Sequence, residues 1–327
     1  MAIFDKILFY AMTSGLQLFA EPNTQTTGTG TLSDEMKTFY SDYLIDNAVP
    51  KLVHDQFGQK HPIPKNGGKT IEFRKYSPLP KLLTPLTEGV TPDGQSLTVT
   101  VLEATVAQYG GYVTLSDMLM LTAIDNNLVQ ATKLLGNQAG ATLDTITREV
   151  LNGGTNVVYA GGVSSRGAVT DNLKVADIKK AVRALKNQNA SKIGDSFVAI
   201  IHPDVTYDLT NDPQWQSVKD YDPKDWYEGE IGKIAGVRFV ETTEAKIFEG
   251  GIYSTLILAE NAYGVTEIEG GGLEHITKQL GSAGTADALN QRATVGWKAT
   301  KVAERLVEQF MVRIESKSTF SSEVSAN

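Results

Sequence analysis

The residues most often used for catalysis and metal binding are scarce in this 327-residue chain. Its imidazole groups belong to four histidines: His54, His61, His202 and His275. A zinc peptidase helix needs two histidines four residues apart with a glutamate after the first, and the sequence has no such segment. It also has no cysteine, which excludes thiolate metal sites, disulfides and cysteine nucleophiles. The sequence therefore predicts no metal site.

Motifs for a serine nucleophile or a phosphate-binding loop are missing as well. Residues 162–165 (GVSS) lack the Gly-x-Ser-x-Gly pattern of a nucleophile elbow. Residues 229–233 (GEIGK) fall short of a phosphate-binding loop, because Tyr227 stands at its first glycine position and Ile234 replaces the required serine or threonine. We therefore expect no cofactor, no catalytic residues and no enzymatic activity.

Three aspartates follow one another at a helical spacing behind Pro203. Asp204, Asp208 and Asp212 are four residues apart, which places them on one face of a predicted helix. Such a row of charges is typical of a solvated face and does not by itself indicate a site. His202, directly before the proline, is interpreted as the residue that starts this helix.

The overall charge argues against a protein that coats nucleic acid. Lys and Arg number 30 against 38 Asp and Glu, which gives a net charge of −8. Proteins that neutralise phosphates are normally basic. Hydrophobic residues make up 41% of the chain, enough for a sizeable core, and no run approaches the ~18 apolar residues that cross a bilayer. We expect a folded protein without a membrane span.

The first 57 residues are predicted to form an arm followed by a helix. Residues 23–31 (NTQTTGTGT) are rich in threonine and glycine, which is typical of flexible or extended chain. Leu18 and Phe19 precede this run and are too few to form a core. Two alternatives stay open, a disordered terminus and an arm that docks on a neighbouring copy. Ser33 is a capping residue for the helix that follows.

Residues 58–113 are predicted to form a projecting hairpin. Ile71 and Phe73 alternate with polar residues, and so do Val99 and Val101, so each run is predicted as a strand. The segment 58–112 carries six basic residues against four acidic ones, a basic ribbon on an acidic body. Because a two-stranded ribbon is marginal in water, it must lie on another surface, and its charge suits a second copy of the chain.

Residues 114–152 are predicted to form one long helix, with Thr114 and Asp117 as its capping pair and Gly153 as its end. Its length would be about 50–55 Å at 1.5 Å per residue. A mixed α/β section follows over residues 175–275. Further predicted features are a helix with the apolar stripe Val175, Ile178, Val182 and Leu185, a strand at 197–201, a helix opened by Pro203, and two last strands near 293–299 and 310–314.

Several stretches of this sequence resemble the major capsid proteins of tailed bacteriophages. They are residues 15–21 (GLQLFAE), 201–209 (IHPDVTYDL), 232–241 (GKIAGVRFVE), 281–298 (GSAGTADALNQRATVGWK) and 312–315 (VRIE). The order of arm, hairpin, long helix, α/β section and returning strands also matches that family over nearly the whole chain.

The resemblance implies an α+β fold, the tailed-phage capsid (Johnson) fold with an N-terminal arm, an extended β-hairpin loop, a long spine helix in a peripheral domain, and an α/β axial domain. The implied divisions are an arm and helix at 1–57, the hairpin at 58–113, the peripheral domain with the spine helix at 114–174, the axial domain at 175–275, and return strands of the peripheral domain with a polar tail at 276–327.

The function implied by the resemblance is a coat protein that self-assembles through hexamers and pentamers into an icosahedral shell around double-stranded phage DNA. Implied partners are other copies, a separate scaffolding protein, a portal and a decoration protein, with no sequence-specific DNA binding and no membrane. Assembly in the host bacterial cytoplasm and a final place in the virion capsid follow. We predict these residues as contacts between copies: Leu18, Phe19, Lys69, Arg74, Lys75 and Lys81.

Two alternatives remain beside this interpretation. The first is an encapsulin-like nanocompartment shell protein, which the same fold would allow and which a cargo enzyme would distinguish. The second is a soluble hydrolase that uses scattered carboxylates. It predicts that replacing Asp204 or Asp208 abolishes an activity and leaves assembly intact.

Overall fold

The structure is a computed structural model, and it describes residues 52–76, 79–86, 88–91, 93–122, 127–215, 232–282 and 287–327. The predicted arm and the helix after it fall outside these ranges. The strands are β1 (Gln59–Lys60), β2 (Thr70–Tyr76), β3 (Val99–Thr105), β4 (Ala107–Ser116), β5 (Val157–Tyr159), β6 (Phe197–Ile201), β7 (Lys233–Ile234), β8 (Val237–Glu241), β9 (Ile247–Phe248), β10 (Ile252–Leu258), β11 (Tyr263–Thr266), β12 (Glu274–Lys278), β13 (Arg292–Arg305) and β14 (Met311–Ser316). The α-helices are α1 (Asp117–Thr122), α2 (Asn127–Asn152), α3 (Val175–Asn187) and α4 (Pro203–Thr210).

A seven-stranded sheet holds the largest core. Its order is β5-β14-β10-β6-β8-β7, with β9 paired to β10. Every residue of β6, β10 and β14 is buried. β6 and most of β10 are apolar, as expected of strands covered on both faces, whereas β14 carries the charged residues Arg313 and Glu315, which form an ion pair. The predicted strand at 197–201 is confirmed. Helices α3 and α4 contribute buried side chains to the same core as this sheet.

Helices α3 and α4 begin and pack as the sequence predicts. The buried stripe of α3 comprises Val175, Ile178, Val182 and Leu185. Pro203 occupies the first turn of α4, and the Nδ1 atom of His202 accepts a hydrogen bond from the Asp204 N–H at 3.2 Å. The interpretation of His202 as a helix-start residue is therefore confirmed.

A five-stranded sheet forms the second layer. Its order is β1-β11-β13-β12, and β4 pairs with β13 along ten residues. Helix α2 packs on one face, where Leu135, Ala139 and Leu143 meet Val295 and Trp297. The α2 helix has 26 residues and a length of about 39 Å.

The prediction of a single helix over residues 114–152 was wrong at its start. Thr114 lies in β4, opposite Thr294 of β13, and it caps no helix. Ser116 takes that role for α1, because its hydroxyl accepts from the Leu119 N–H at 3.2 Å. The pairing partner is almost 180 residues away in sequence, so the local pattern that favours a helix gave no sign of it.

The strand pairing crosses the predicted boundary between residues 275 and 276. β14, expected among the return strands of the peripheral domain, pairs with β10 in the seven-stranded sheet. β11, expected in the axial domain, pairs with β13 in the five-stranded sheet. The division of the chain into domains therefore stays a prediction. Within the described ranges every helix is too short or too polar to span a bilayer.

Candidate assembly surface

The predicted hairpin is present as a separate two-stranded sheet. β2 pairs antiparallel with β3 over seven residues, from Thr70 opposite Thr105 to Tyr76 opposite Val99. Only Ala104 is buried in these two strands. The isolated ribbon therefore has little core of its own, and it needs burial against another surface to hold its shape.

The four predicted contact residues of the hairpin are exposed. Lys69, Arg74 and Lys75 stand on or beside β2, and Lys81 lies in the connection between the strands. The Arg74 guanidinium is 3.4 Å from the Glu72 carboxylate, with both side chains about half exposed or more, so the pair adds little stability. Their role as contacts stays a prediction, and Leu18 and Phe19 lie outside the described residues.

The hairpin connection also exposes a group of apolar side chains that the sequence analysis did not single out. We call it the tip surface: Leu79, Leu82, Leu83, Leu86 and Val90. Each of them is 51% to 85% exposed. Such a cluster is unusual on a soluble monomer and marks an interaction surface. The available signal was a set of leucines in a proline-rich stretch with neither a helical nor a strand period.

A second apolar group lies where β4 runs into α1. We call it the shoulder surface: Tyr112, Met118, Leu119, Met120 and Leu121. Their side chains are between 41% and 80% exposed. Four consecutive residues of α1 are apolar, so the short helix exposes apolar side chains to water whichever of its faces packs against the rest of the protein. The tip and shoulder surfaces together hold about half of the exposed large apolar side chains of the described residues.

Asp204 and Asp208 lie on α4, whereas Asp212 falls beyond the end of the helix at Thr210 and not on the predicted helix face. All three serve the fold. Asp204 accepts from the Tyr253 hydroxyl at 2.6 Å, and Asp208 accepts from the Thr319 hydroxyl at 2.6 Å. Burial, with the hydrogen bond to Asp204, raises the pKa of Tyr253 far above its ordinary value. Asp212 accepts from the Val175 N–H at 2.9 Å and so caps α3. The three carboxylates therefore bond to three different parts of the fold: β10, the segment after β14, and α3.

A buried polar cluster joins the segment before β1 to α2 and β13. His54 Nδ1 lies 2.6 Å from the Asp144 carboxylate, which also accepts from the His54 N–H at 2.7 Å. Asp55 pairs with the Lys301 ammonium and accepts from the Thr147 hydroxyl. Burial lowers the pKa of Lys301, and Asp55 opposes that effect. The cluster holds His54 and Asp55, near the start of the described chain, against α2 and β13.

Nothing in the part of the chain that the structure describes gathers three or more histidine, aspartate or glutamate side chains in a metal-binding group. The His54 and Asp144 pair is fully buried and closed off by α2, so it offers no access to a substrate. The arrangement that stands out is apolar and exposed, which suits association between protein surfaces.

Comparisons with known proteins also indicate a protein that assembles with other protein subunits. A family model described as phage capsid protein matches residues 99–305, more than half of the chain. The capsid of cyanophage Pam1 is similar with a TM-score of 0.63 and 15% identity, over 80% of this chain and 88% of that one. The capsid of cyanophage P-SCSP1u gives a TM-score of 0.61 and 14% identity, over 80% and 87%.

A virus-like particle from Pyrococcus furiosus is also similar, with a TM-score of 0.50 and 13% identity, over 86% of this chain and 99% of that one. No curated protein sequence matches the chain. The structural likenesses show a common fold, the tailed-phage capsid fold that the sequence resemblance implied. With the family model covering more than half of its residues, the chain belongs to the phage capsid protein family.

Proposed function

We propose that this phage major capsid protein closes its shell by burying the tip surface of one copy against the shoulder surface of a neighbouring copy. The observation that carries this proposal is the exposure of the tip surface, where Leu83 is 85% and Leu82 is 76% exposed. A contact between two different patches is heterologous, and repeated copies of it generate rings. The hexamers and pentamers of the proposed shell, which encloses double-stranded DNA, are such rings.

The basic residues of the hairpin orient this contact. Lys81 lies within the tip segment, Arg74 and Lys75 stand at the end of β2 that leads into it, and Lys69 is exposed just before β2, on a chain whose net charge is −8. Cations at the rim of an apolar contact speed encounter with an acidic surface and disfavour wrong orientations. Leu18 and Phe19 supply a second contact from the arm.

The remaining parts of the proposal concern partners and location. The subunit assembles in the host bacterial cytoplasm with a separate scaffolding protein and a portal, and a decoration protein binds the finished shell. It encloses DNA without reading its sequence, in keeping with the acidic balance. It has no enzymatic role, which the engagement of Asp204 and Asp208 in bonds to Tyr253 and Thr319 supports. Residues 175–275 surround the capsomer centre.

An encapsulin-like compartment is the second candidate, and the likeness to the Pyrococcus furiosus virus-like particle favours it. The two functions differ in what the shell holds. A cargo enzyme that co-purifies with empty particles supports the compartment, whereas packaged DNA and a portal support the phage shell.

The test replaces Leu82 and Leu83 together by Asp in the full chain, co-expressed with its phage's other head proteins. We expect soluble, folded subunits and loss of closed particles in electron micrographs, because two carboxylates cannot be buried without partners. The matched control is Leu289→Asp, a leucine that is 76% exposed outside both surfaces. Closed particles at the unmodified yield from the double variant would contradict the proposal.

A further inference from the structure

Strand β4 is an edge of the five-stranded sheet. The Thr300 N–H of β13 donates to the Gly271 carbonyl at 2.8 Å, on the side away from β4. Opposite residues in an antiparallel pair either bond to each other or both turn away. Gln108, which stands opposite Thr300, therefore turns its N–H and C=O away from β13. The same alternation turns three more residues outward: Gly110, Tyr112 and Thr114.

These outward backbone groups are open for pairing. All four residues are exposed, and among the described residues their N–H groups donate, and their C=O groups accept, no backbone hydrogen bond. The side chains of Gln108, Tyr112 and Thr114 lie on the sheet face opposite α2, since the residues that meet α2 are their neighbours, such as Tyr109. A partner strand could therefore approach along the full edge.

The edge lacks the features that normally keep such strands single. Natural edge strands are protected by charged side chains, prolines, bulges or short length. β4 is ten residues long, and its sequence AQYGGYVTLS contains neither a charge nor a proline. Such an edge invites another strand. It also runs directly into the shoulder surface, and Tyr112 and Met118 are exposed with respect to the described residues.

We propose that the threonine-rich run at residues 23–31 of a second copy adds to this edge as an additional strand. The run is also free of charge, so neutral chain meets neutral edge, and threonine favours strands and cross-strand threonine pairs. The 20 residues between Thr31 and Leu52 span about 30 Å if helical and about 65 Å if extended, enough to reach a neighbour. The inference rests on the proposed function, because only assembly brings a second copy alongside.

The absence of natural cysteines makes disulfide trapping a direct test. The double variant Thr27→Cys with Thr114→Cys is assembled into particles, oxidised mildly and separated on a non-reducing gel. We expect covalent dimers and higher multimers, because paired strands bring Cα atoms within disulfide range, about 4.4–6.8 Å. Gln108→Cys replaces Thr114→Cys in a second double variant, which covers a shifted register.

The controls separate the possible outcomes. Each single-cysteine variant should give monomers, and so should Thr27→Cys with Lys186→Cys, a pair that uses an exposed position on α3. Particles that form but give only monomers with both edge positions would overturn the strand addition while leaving the proposed function intact. Oxidised single chains with an internal disulfide would show that the copy's own arm covers the edge, which also overturns it. Failure to form any particle from the unmodified chain would instead count against the proposed function.

A proline variant tests the hydrogen bonds themselves. Thr114→Pro removes an N–H that faces outward, so the pairing of β4 with β13 keeps its hydrogen bonds. An added strand, in contrast, loses one hydrogen bond and clashes with the proline ring. In the register that joins positions 27 and 108, we expect folded subunits and loss of that disulfide; in the register that joins 27 and 114, Gln108→Pro takes the place of Thr114→Pro. Thr114→Ala keeps the N–H and should retain the disulfide between positions 27 and 108. Equal trapping in both variants would overturn the proposal.

Discussion

His202 caps a helix, and its ring is also largely buried. Its Nδ1 atom caps α4, its ring packs at 5.0 Å from the ring of Tyr253, and burial lowers its pKa below the ordinary value of 6.5, with Asp204 opposing the shift. In the folded subunit the imidazole therefore holds its proton more weakly than in the unfolded chain. His275 shows the same direction of shift, also because of burial.

This difference predicts a pH dependence of stability. When the pKa of a histidine is lower in the folded than in the unfolded chain, the unfolded chain binds more protons as the pH falls below 6.5. The free energy of unfolding is therefore unaffected by this histidine above pH 6.5 and decreases below it. We expect the free energy of unfolding to decrease between pH 7 and pH 5.5. His202→Asn keeps a capping side chain and should flatten the decrease. Urea unfolding at both pH values measures it, and an unchanged slope in the variant would contradict the assignment to His202.

At the scale of elements, one ion pair fastens the loop after β5 to the seven-stranded sheet. The Arg166 guanidinium donates two hydrogen bonds of 2.7 Å to Glu315 of β14, whose side chain is fully buried. The same guanidinium lies 3.6 Å over the Phe248 ring. Arg313 is the other cation beside Glu315, at 2.8 Å. The loop is therefore held by a planar fork that lysine could not reproduce.

Removing Arg166 should destabilise the subunit more than removing an exposed ion pair from the same region. We expect Arg166→Ala to lower the free energy of unfolding by about 2–3 kcal/mol, because it leaves part of a buried carboxylate unpaired. The matched control is Lys174→Ala, which removes an exposed pair with Asp171 and should change the free energy of unfolding much less. Urea denaturation compares the two, and equal effects would contradict the importance of the buried fork.

At the scale of the whole molecule, the described residues form two large sheets with packed cores, and a hairpin that has almost no core of its own. The seven-stranded sheet, α3 and α4 bury a large apolar core. The hairpin, the outer edge of β4 and α1 carry most of the exposed large apolar side chains. A monomer with this distribution leaves considerable apolar surface in water, whereas a shell of copies can cover it.

Charge reversal on the hairpin should therefore affect assembly more than folding. Arg74→Glu with Lys75→Glu should reduce the yield of closed particles and leave the unfolding midpoint of the subunit nearly unchanged, since both side chains are exposed and make only one weak ion pair. The control reverses two exposed cations of α3, Lys179 and Lys186. Electron microscopy counts the particles. An equal loss of soluble subunit would show instead that the ribbon is needed for folding.

The sequence by itself determined most of the local helices and strands, and it contains no recognisable catalytic or metal-binding motif. The apolar stripe of α3, the continuous strand β6 and the proline start of α4 depend on neighbouring residues, so their patterns predicted them correctly. The hairpin strands also followed from alternation over a few residues. The capsid resemblance came from a handful of short segments, and the family match agrees with it.

Only the tertiary structure decided what depends on partners far apart in the chain. The pairing of β4 with β13 turned the expected helix start at Thr114 into strand, and the pairing of β14 with β10 joined the last strand to the seven-stranded sheet. Exposure belongs to the same class, because a leucine such as Leu83 looks the same in sequence whether or not something covers it. Long-range pairing and burial are properties of the assembled chain, and local sequence patterns do not specify them.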